Sequence, residues 1–285
     1  MKTFSKRPAA SERSHWISCE VCGVDACVDH WDCGEFAFVR CTSCGHIYQN
    51  PQPESDALIA RYDEEYSQYE VENSSNFLDL MLKGLEDVSF FDRVGSSGVE
   101  RSLLDIGCAT GALLEHAATR GYRVQGVEVC EPAAQYGRAH RGVPIALGTL
   151  DEVELPSAPY GAAHFSHVIE HVPHPREFLR QVRSLLAPGG FIVVVTPNTA
   201  GLQARLFGPQ WRSAIADHVH LFSQRNLARV LVEEGFEIVA RKTWGGLGKG
   251  VAPGVVKRPI DWMAKRMGFG DVMLFLCRSR SLAES

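Results

Sequence analysis

A chain of 285 residues with 45% hydrophobic and 22% charged residues can hold one large α/β domain and a small accessory one, and its composition is that of an ordinary globular protein. A net charge of −5 gives no general attraction to phosphate backbones, so a nucleic-acid substrate is disfavoured unless a local basic patch exists. No apolar run reaches the roughly 18 residues of a membrane span, and residues 1–15 lack the apolar core of a signal peptide, so a cytoplasmic protein is expected.

Residues 1–18 have no periodicity and read as a flexible tail. Cys19-Glu20-Val21-Cys22-Gly23 and Cys41-Thr42-Ser43-Cys44-Gly45 follow, two C-x-x-C-G turns separated by 18 residues. Each turn can present two sulfurs to one ion, so Cys19, Cys22, Cys41 and Cys44 are expected to hold a zinc ion in a ribbon over residues 19–50. With four cysteines there is no open position for water, and the zinc reads as structural. Between the turns, Phe36 to Arg40 alternates like a hairpin strand, while Cys27, His30 and Cys33 are bystanders, any of which could replace an assumed ligand.

Pro51 and Pro53 stop the hairpin, and residues 51–100 read as a helical cap. Leu58, Ile59 and Tyr62 have helical spacing after Glu54; residues 63–75 look less regular, with Tyr66 and Tyr69 as packing or lid residues. Apolar positions from Phe77 to Phe91 mark a longer helix.

The remainder, residues 101–285, reads as one α/β domain. A strand from Arg101 to Ile106 runs into a glycine turn and a helix from Ala112 to Thr119, whose N-terminal amides face whatever occupies the turn. The spacing D-x-G-x-x-x-G from Asp105 satisfies neither the dinucleotide fingerprint nor the P-loop. Asp105 would repel a pyrophosphate but can accept from an ammonium or hydroxyl, which favours a cofactor carrying a cation. A second strand, Tyr122 to Glu128, ends in an acid where a ribose diol is held in doubly wound sheets. A helix from Pro132 to Arg141, a strand from Val143 to Leu147 and a strand from Gly161 to Val168 come next. Then follow a helix from Arg176 to Leu186, a Pro188-Gly189-Gly190 turn and a central strand from Phe191 to Thr196. Ser223 reads as the N-cap of a helix over Gln224 to Glu234, and Gly235 ends it. Phe236 to Thr243 and Asp271 to Arg278 form an antiparallel edge pair; the insert over 244–270 carries a short basic helix suited to a membrane surface or to covering the active site.

The runs LLDIGCATG, VQGVEV, HVIEHVPHP and LLAPGGFIVVVTPN, in that order, resemble the class I S-adenosylmethionine-dependent methyltransferases over roughly Ser102 to Arg241. The stretch Arg40 to Pro53 is similar to a bacterial group of that family that modifies sugars, lipids or secondary metabolites. The resemblance implies a Rossmann-like, doubly wound sheet of seven strands with an antiparallel last strand, beside the zinc ribbon and helical cap. It implies that Asp105, Gly107 and Gly111 surround the methionine part of S-adenosylmethionine, that Glu128 takes the ribose hydroxyls and that Gly148, Thr149 and Leu150 lie beside the adenine. Cys108 and His167 join that set, although a cysteine inside the turn also reads as a small packing residue.

Methyl transfer from a sulfonium needs aligned reactants, excluded water and a base for an alcohol or an acidic carbon. Histidine suits that task, and His167, His171, His218 and His220 are the candidates; His218 and His220, two apart in an extended segment, are expected on one side. His164 and His174 read as structural. His167 to His171 also spells the inverted zinc-protease motif, which requires a helix where this chain has a strand and loop. It is closer to the E-x-x-E-H of ubiquinone-type O-methyltransferases, thought to hold a divalent metal beside a catechol, with His167 replacing the first glutamate. The expected acceptor is a small molecule or glycan. Alternatives are an RNA base methyltransferase gripping its substrate with the ribbon, and an interaction protein whose domain binds cofactor without catalysis.

Overall fold

The computed structural model describes residues 14–54, 64–155, 157–246 and 264–280. Five short strands come first: β1 (Ser14–His15), β2 (Cys27–Asp32), β3 (Ala37–Cys41), β4 (Ile47–Gln49) and β5 (Gln52–Pro53). Helices Glu64–Asp87 and Phe90–Ser96 lead into the main sheet. Its strands are β6 (Ser102–Ile106), β7 (Arg123–Glu128), β8 (Ile145–Leu147), β9 (Tyr160–Ser166) and β10 (Leu186–Pro197), followed, after the two-residue β11 (His220–Leu221) of another sheet, by β12 (Phe236–Trp244) and β13 (Val272–Ser279).

The seven-stranded sheet has the order β12-β13-β10-β9-β6-β7-β8. Strands β6 to β10 pair in parallel, and β13 runs antiparallel to both β10 and β12. This is the Rossmann-like α/β methyltransferase fold expected from the sequence. β6 lies near the middle and is buried along its whole length, which is why it reads as a continuous apolar run. Leu104, Ile106, Phe165, Ile192 and Val194 pack on one face, and Leu103, Ala162, Val193 and Leu276 on the other.

Helix Ala112–Thr119 has the expected bounds, and the Ser223 side chain caps helix Gln224–Glu233 by accepting from the Asn226 amide. Three expectations are corrected. Residues 64–75 are not irregular but continue one helix to Asp87; only Ser67, Gly84 and Leu85 along it are buried, so its polar face hides the helical period. The helix expected to run to Arg141 changes to a π turn over Gly137–Arg141. The Pro188-Gly189-Gly190 turn is absorbed into β10 as a register break between Leu186 and Phe191. Residues 55–63, with Leu58, Ile59 and Tyr62, and most of the 244–270 insert lie outside the described residues.

The cysteine-bearing hairpin does not stand apart. Its sheet has the order β11-β4-β3-β2, and β11 is donated by the large domain, His220 facing Tyr48 and Leu221 facing Ile47. Cys19, Val21, Val39, Cys41 and Tyr48 share one apolar cluster with Phe222, Leu227, Val230 and Leu231. Phe38 and Ile47 share another with Ala204, Trp211 and Leu221. Arg176 adds polar links, donating to the Glu20 and Val21 carbonyls while pairing with Glu233 and Glu234. Among the described residues, no helix is long and apolar enough to cross a membrane.

Candidate functional site

Parallel pairing brings Asp105 beside Gly126 on β7 and His164 on β9, one residue before β6 gives way to the glycine turn. Asp105 is buried, and its Oδ1 accepts from His164 Nδ1 at 2.7 Å, so the structural reading of His164 becomes an orienting contact on the acid. Gly107 and Gly111 have φ of 68° and 72°, and a Cβ there would stand 2.5 Å from Val168 Cγ2 and 2.7 Å from Val143 Cγ2. The two positions need glycine both for conformation and for space. Glu128, at the end of β7, accepts from the Ala109 amide at 2.8 Å on one oxygen and from the Cys130 amide at 2.8 Å on the other, clipping the glycine turn to the neighbouring strand. Burial nonetheless pushes its carboxyl above the ordinary range. The Gly148 amide donates to the Glu128 carbonyl at 2.9 Å; Thr149 turns its amide and hydroxyl to Glu152, and Leu150 is buried. These groups therefore gather at the C-terminal ends of β6, β7 and β8, where open α/β sheets receive ligands.

The Cys108 side chain packs with Leu114, Ala134, Val143 and Ile145, as the packing reading of its thiol expects. Helix Glu64–Asp87 packs against helices Ala112–Thr119 and Glu131–Tyr136 and brings Glu70 under the influence of Glu128 and His167. Burial, and then the Glu128 charge, push the Glu70 carboxyl up to about 7. The sequence carried no signal for Glu70, because its stretch read as irregular.

β9 ends at Ser166, and His167 takes the left-handed conformation with φ 56°, its amide donating to the Val195 carbonyl at 2.9 Å. This turn exposes 49% of the imidazole while its Nδ1 stands 3.0 Å from Oε1 of the wholly buried Glu170. Thr196 Oγ1 donates to the other Glu170 oxygen at 2.8 Å. Crowding lowers the His167 pKa, but the hydrogen bond and charge of Glu170 outweigh it and hold the imidazole above its ordinary value. Burial likewise opposes ionisation of Glu170, yet the His167 hydrogen bond and the charges of His167, His218 and His171 bring its pKa down to about 2. Glu170 was legible as the acid of H-x-x-E-H, but its part as the partner of His167 needed the turn.

His171 Nδ1 donates to the Asp217 carbonyl at 2.9 Å and His218 Nδ1 to the Ser213 carbonyl at 2.8 Å. A carbonyl only accepts, so both rings carry a proton on Nδ1. The rings meet edge to face with centroids 4.7 Å apart. Burial lowers the His218 pKa to about 4, which keeps it neutral at ordinary pH. His167, His171 and His218 are thus brought together around Glu170.

His220 is not, which corrects both its candidacy as a base and the expectation that it shares a side with His218. It is fully buried in the seam with the cysteine-bearing sheet; its Nε2 donates to the Pro173 carbonyl at 3.0 Å, and its Nδ1 lies 3.1 Å from His46 Nε2. Both ring nitrogens are engaged, so no acceptor can reach a free lone pair. His174 is exposed and bonds Glu20.

Among the described residues, two groups of side chains could hold a metal. Cys19, Cys22, Cys41 and Cys44 bring their sulfurs within 4.8 Å of one another, with Cys19 to Cys44 at 3.6 Å and Cys22 to Cys41 at 3.5 Å. Zinc–sulfur bonds of about 2.3 Å in a tetrahedron require edges of about 3.8 Å, so the donor set fits zinc. The amides of Val21 and Cys22 point to the Cys19 sulfur and those of Ser43 and Cys44 to the Cys41 sulfur, the environment that a thiolate needs. Glu170, His171 and His218 also place a donor atom each within 4.8 Å of the others, although both Glu170 oxygens already accept hydrogen bonds.

Residues 77–241 match the family model described as a methyltransferase domain. A ubiquinone biosynthesis O-methyltransferase from Chromobacterium violaceum is 33% identical over 119 residues, which cover 39% of this chain and 50% of that protein. The chain thus spans about half the length of this curated relative. A Galdieria sulphuraria structure described as a candidate sarcosine dimethylglycine methyltransferase superposes with a TM-score of 0.53 at 13% identity, covering 70% of this chain and 86% of that one. A Haloferax volcanii complex of the Trm112 methyltransferase activator with a candidate methyltransferase gives 0.51 at 17% identity, covering 80% and 98%. The structural neighbours share the fold, the family model spans more than half of the sequence, and the chain belongs to the methyltransferase domain family.

Proposed function

We propose that the chain methylates a hydroxyl group of a small-molecule or glycan-type acceptor, with His167 as the base and Glu170 as the carboxylate that orients it. The observation that carries this reading is the half-exposed His167 imidazole anchored through Nδ1 on buried Glu170 at 3.0 Å, next to the glycine turn. Asp105, Gly107 and Gly111 would hold the methionine part of S-adenosylmethionine, Glu128 its ribose hydroxyls, and Gly148, Thr149 and Leu150 its adenine. The glycine cradle, which a Cβ at either position would fill, fits that role. When bound, the cofactor supplies an electrophilic methyl group on a sulfonium. His167 Nε2 takes the acceptor proton, Glu170 holds the ring and stabilises the imidazolium that forms, and helix Glu64–Asp87 screens the cleft from water. Cys19, Cys22, Cys41 and Cys44 would hold a structural zinc. The name of the curated relative supports an oxygen acceptor.

The test is release of S-adenosylhomocysteine over a panel of catechols and sugar nucleotides, followed across pH. A base is active when neutral, so the rate should climb with pH through a value above the ordinary 6.5 of histidine, because Glu170 raises His167. His167→Ala should remove that limb and slow turnover by about 10²–10⁴-fold. A limb near 4 would instead assign the base to His218. Turnover is expected without added divalent cation; strict dependence on magnesium or manganese would move the role to the Glu170, His171 and His218 cluster. Calorimetry should show S-adenosylmethionine binding that Asp105→Ala loses, and equal binding by the two proteins would sink the cofactor assignment.

A further inference from the structure

We infer that Gln49, at the end of β4 in the cysteine-bearing sheet, is a positioning residue that fixes the loop and ring orientation of His218. The inference rests on the reading that the acceptor is received at His167 with Glu170 behind it, and it names what holds His218 in place against Glu170.

Gln49 belongs to β4 but spends its side chain on the other domain. It is 2% exposed, and its Nε2 donates to the Ala216 carbonyl at 2.8 Å and the His218 carbonyl at 2.9 Å, with the Ile215 carbonyl at 3.4 Å. Its backbone amide donates to the Val219 carbonyl at 2.9 Å. From the opposite side, the Val219 and His220 amides both donate to the Glu170 carbonyl, at 2.9 and 3.0 Å. Residues 215–220 are therefore suspended between Gln49 and Glu170, the residue that also anchors His167. This segment has no helical ladder, and β11 provides sheet pairing only from His220 onward. Its carbonyls consequently need a side-chain donor once they are buried.

A buried glutamine in a seam can serve simply to satisfy carbonyls. Here the carbonyls belong to His218 itself and to its near neighbours, so they set the backbone from which the ring reaches back to Ser213. That backbone decides whether Nδ1–H finds the Ser213 carbonyl at 2.8 Å and leaves the Nε2 lone pair toward His171 and Glu170. Loss of the Gln49 donors would free the loop, and the ring would lose its single tautomer.

The experiment uses the full chain labelled with ¹⁵N-histidine. Imidazole ¹H–¹⁵N correlation spectra are recorded for the wild type, for Gln49→Met, which keeps the length without the donors, and for Gln49→Asn, which keeps the amide one methylene short. The wild type should show His218 as one Nδ1–H tautomer. Either variant should show mixed or exchange-broadened His218 signals, with cysteine-bound zinc retained and S-adenosylhomocysteine affinity within about twofold. On an acceptor that turns over, kcat should fall at least about tenfold with the S-adenosylmethionine KM unchanged. A folded variant whose His218 keeps the wild-type tautomer overturns the inference; if Gln49→Met does not fold, Gln49→Asn gives the same decision. The tautomer is read without any acceptor, so a fully active His167→Ala, which would defeat the base assignment, is a separate outcome.

Discussion

His167 and His218 face the same buried carboxylate and move in opposite directions from the ordinary histidine value, because only His167 donates to it. The uncompensated burial of His218 dominates instead. The same logic governs Glu70, whose burial beside Glu128 raises it from 4.5 to about 7. A raised carboxyl binds its proton more tightly in the folded state, so stability is lost as pH rises from about 4.5 to 7 and above. In the cofactor-free protein, Glu70→Gln should therefore melt higher than the wild type at pH 8, and the advantage should vanish near pH 4. Thermal melts at the two pH values check this, and an equal difference at both would refute the burial. At this scale the sequence revealed residue types and spacing well. Asp105, Glu128 and the histidine cluster were visible because their spacing along strand ends is local. His220 was misread because the direction of a side chain depends on what packs behind it.

At the level of elements, the turn after β6 was legible because glycine conformation and strand-end chemistry are written within a few residues. Gly107→Ala tests how tightly it is built: the positive φ costs about 1–3 kcal/mol, and the new Cβ would meet Val168 Cγ2 at 2.5 Å. The expected result is a lower melting temperature and at least about tenfold weaker S-adenosylmethionine binding by calorimetry. Unchanged affinity would mean that the turn does not receive the cofactor. Helix Glu64–Asp87 was only half recognised because its sheet-facing side buries few residues, leaving charged and polar residues to dominate its first half. The cysteine turns were recognised in full, since C-x-x-C-G brings two sulfurs together by backbone geometry alone. Cys22→Ser should lower the bound zinc, measured by emission spectroscopy, and the melting temperature with it; full zinc retention would refute the ribbon site.

For the whole molecule, the decisive feature is that the small sheet and the large domain share strands and core. Removal of residues 14–53 would bare Phe222, Leu227, Trp211 and Leu221 and leave β11 without a partner. The truncated chain is expected to be insoluble, or to lose native near-ultraviolet circular dichroism; a soluble, well-ordered product that binds S-adenosylmethionine as the full chain does would contradict the shared core. The sequence by itself determined the fold class and the four-cysteine cluster, because strand patterning, glycine turns and ligand spacing are local properties. Only the tertiary structure decided that His167 has Glu170 behind it, that His220 belongs to a seam, and that Gln49 reaches across to His218. Those contacts join residues as far apart as 174 positions, and chain periodicity carries no record of which distant faces will meet.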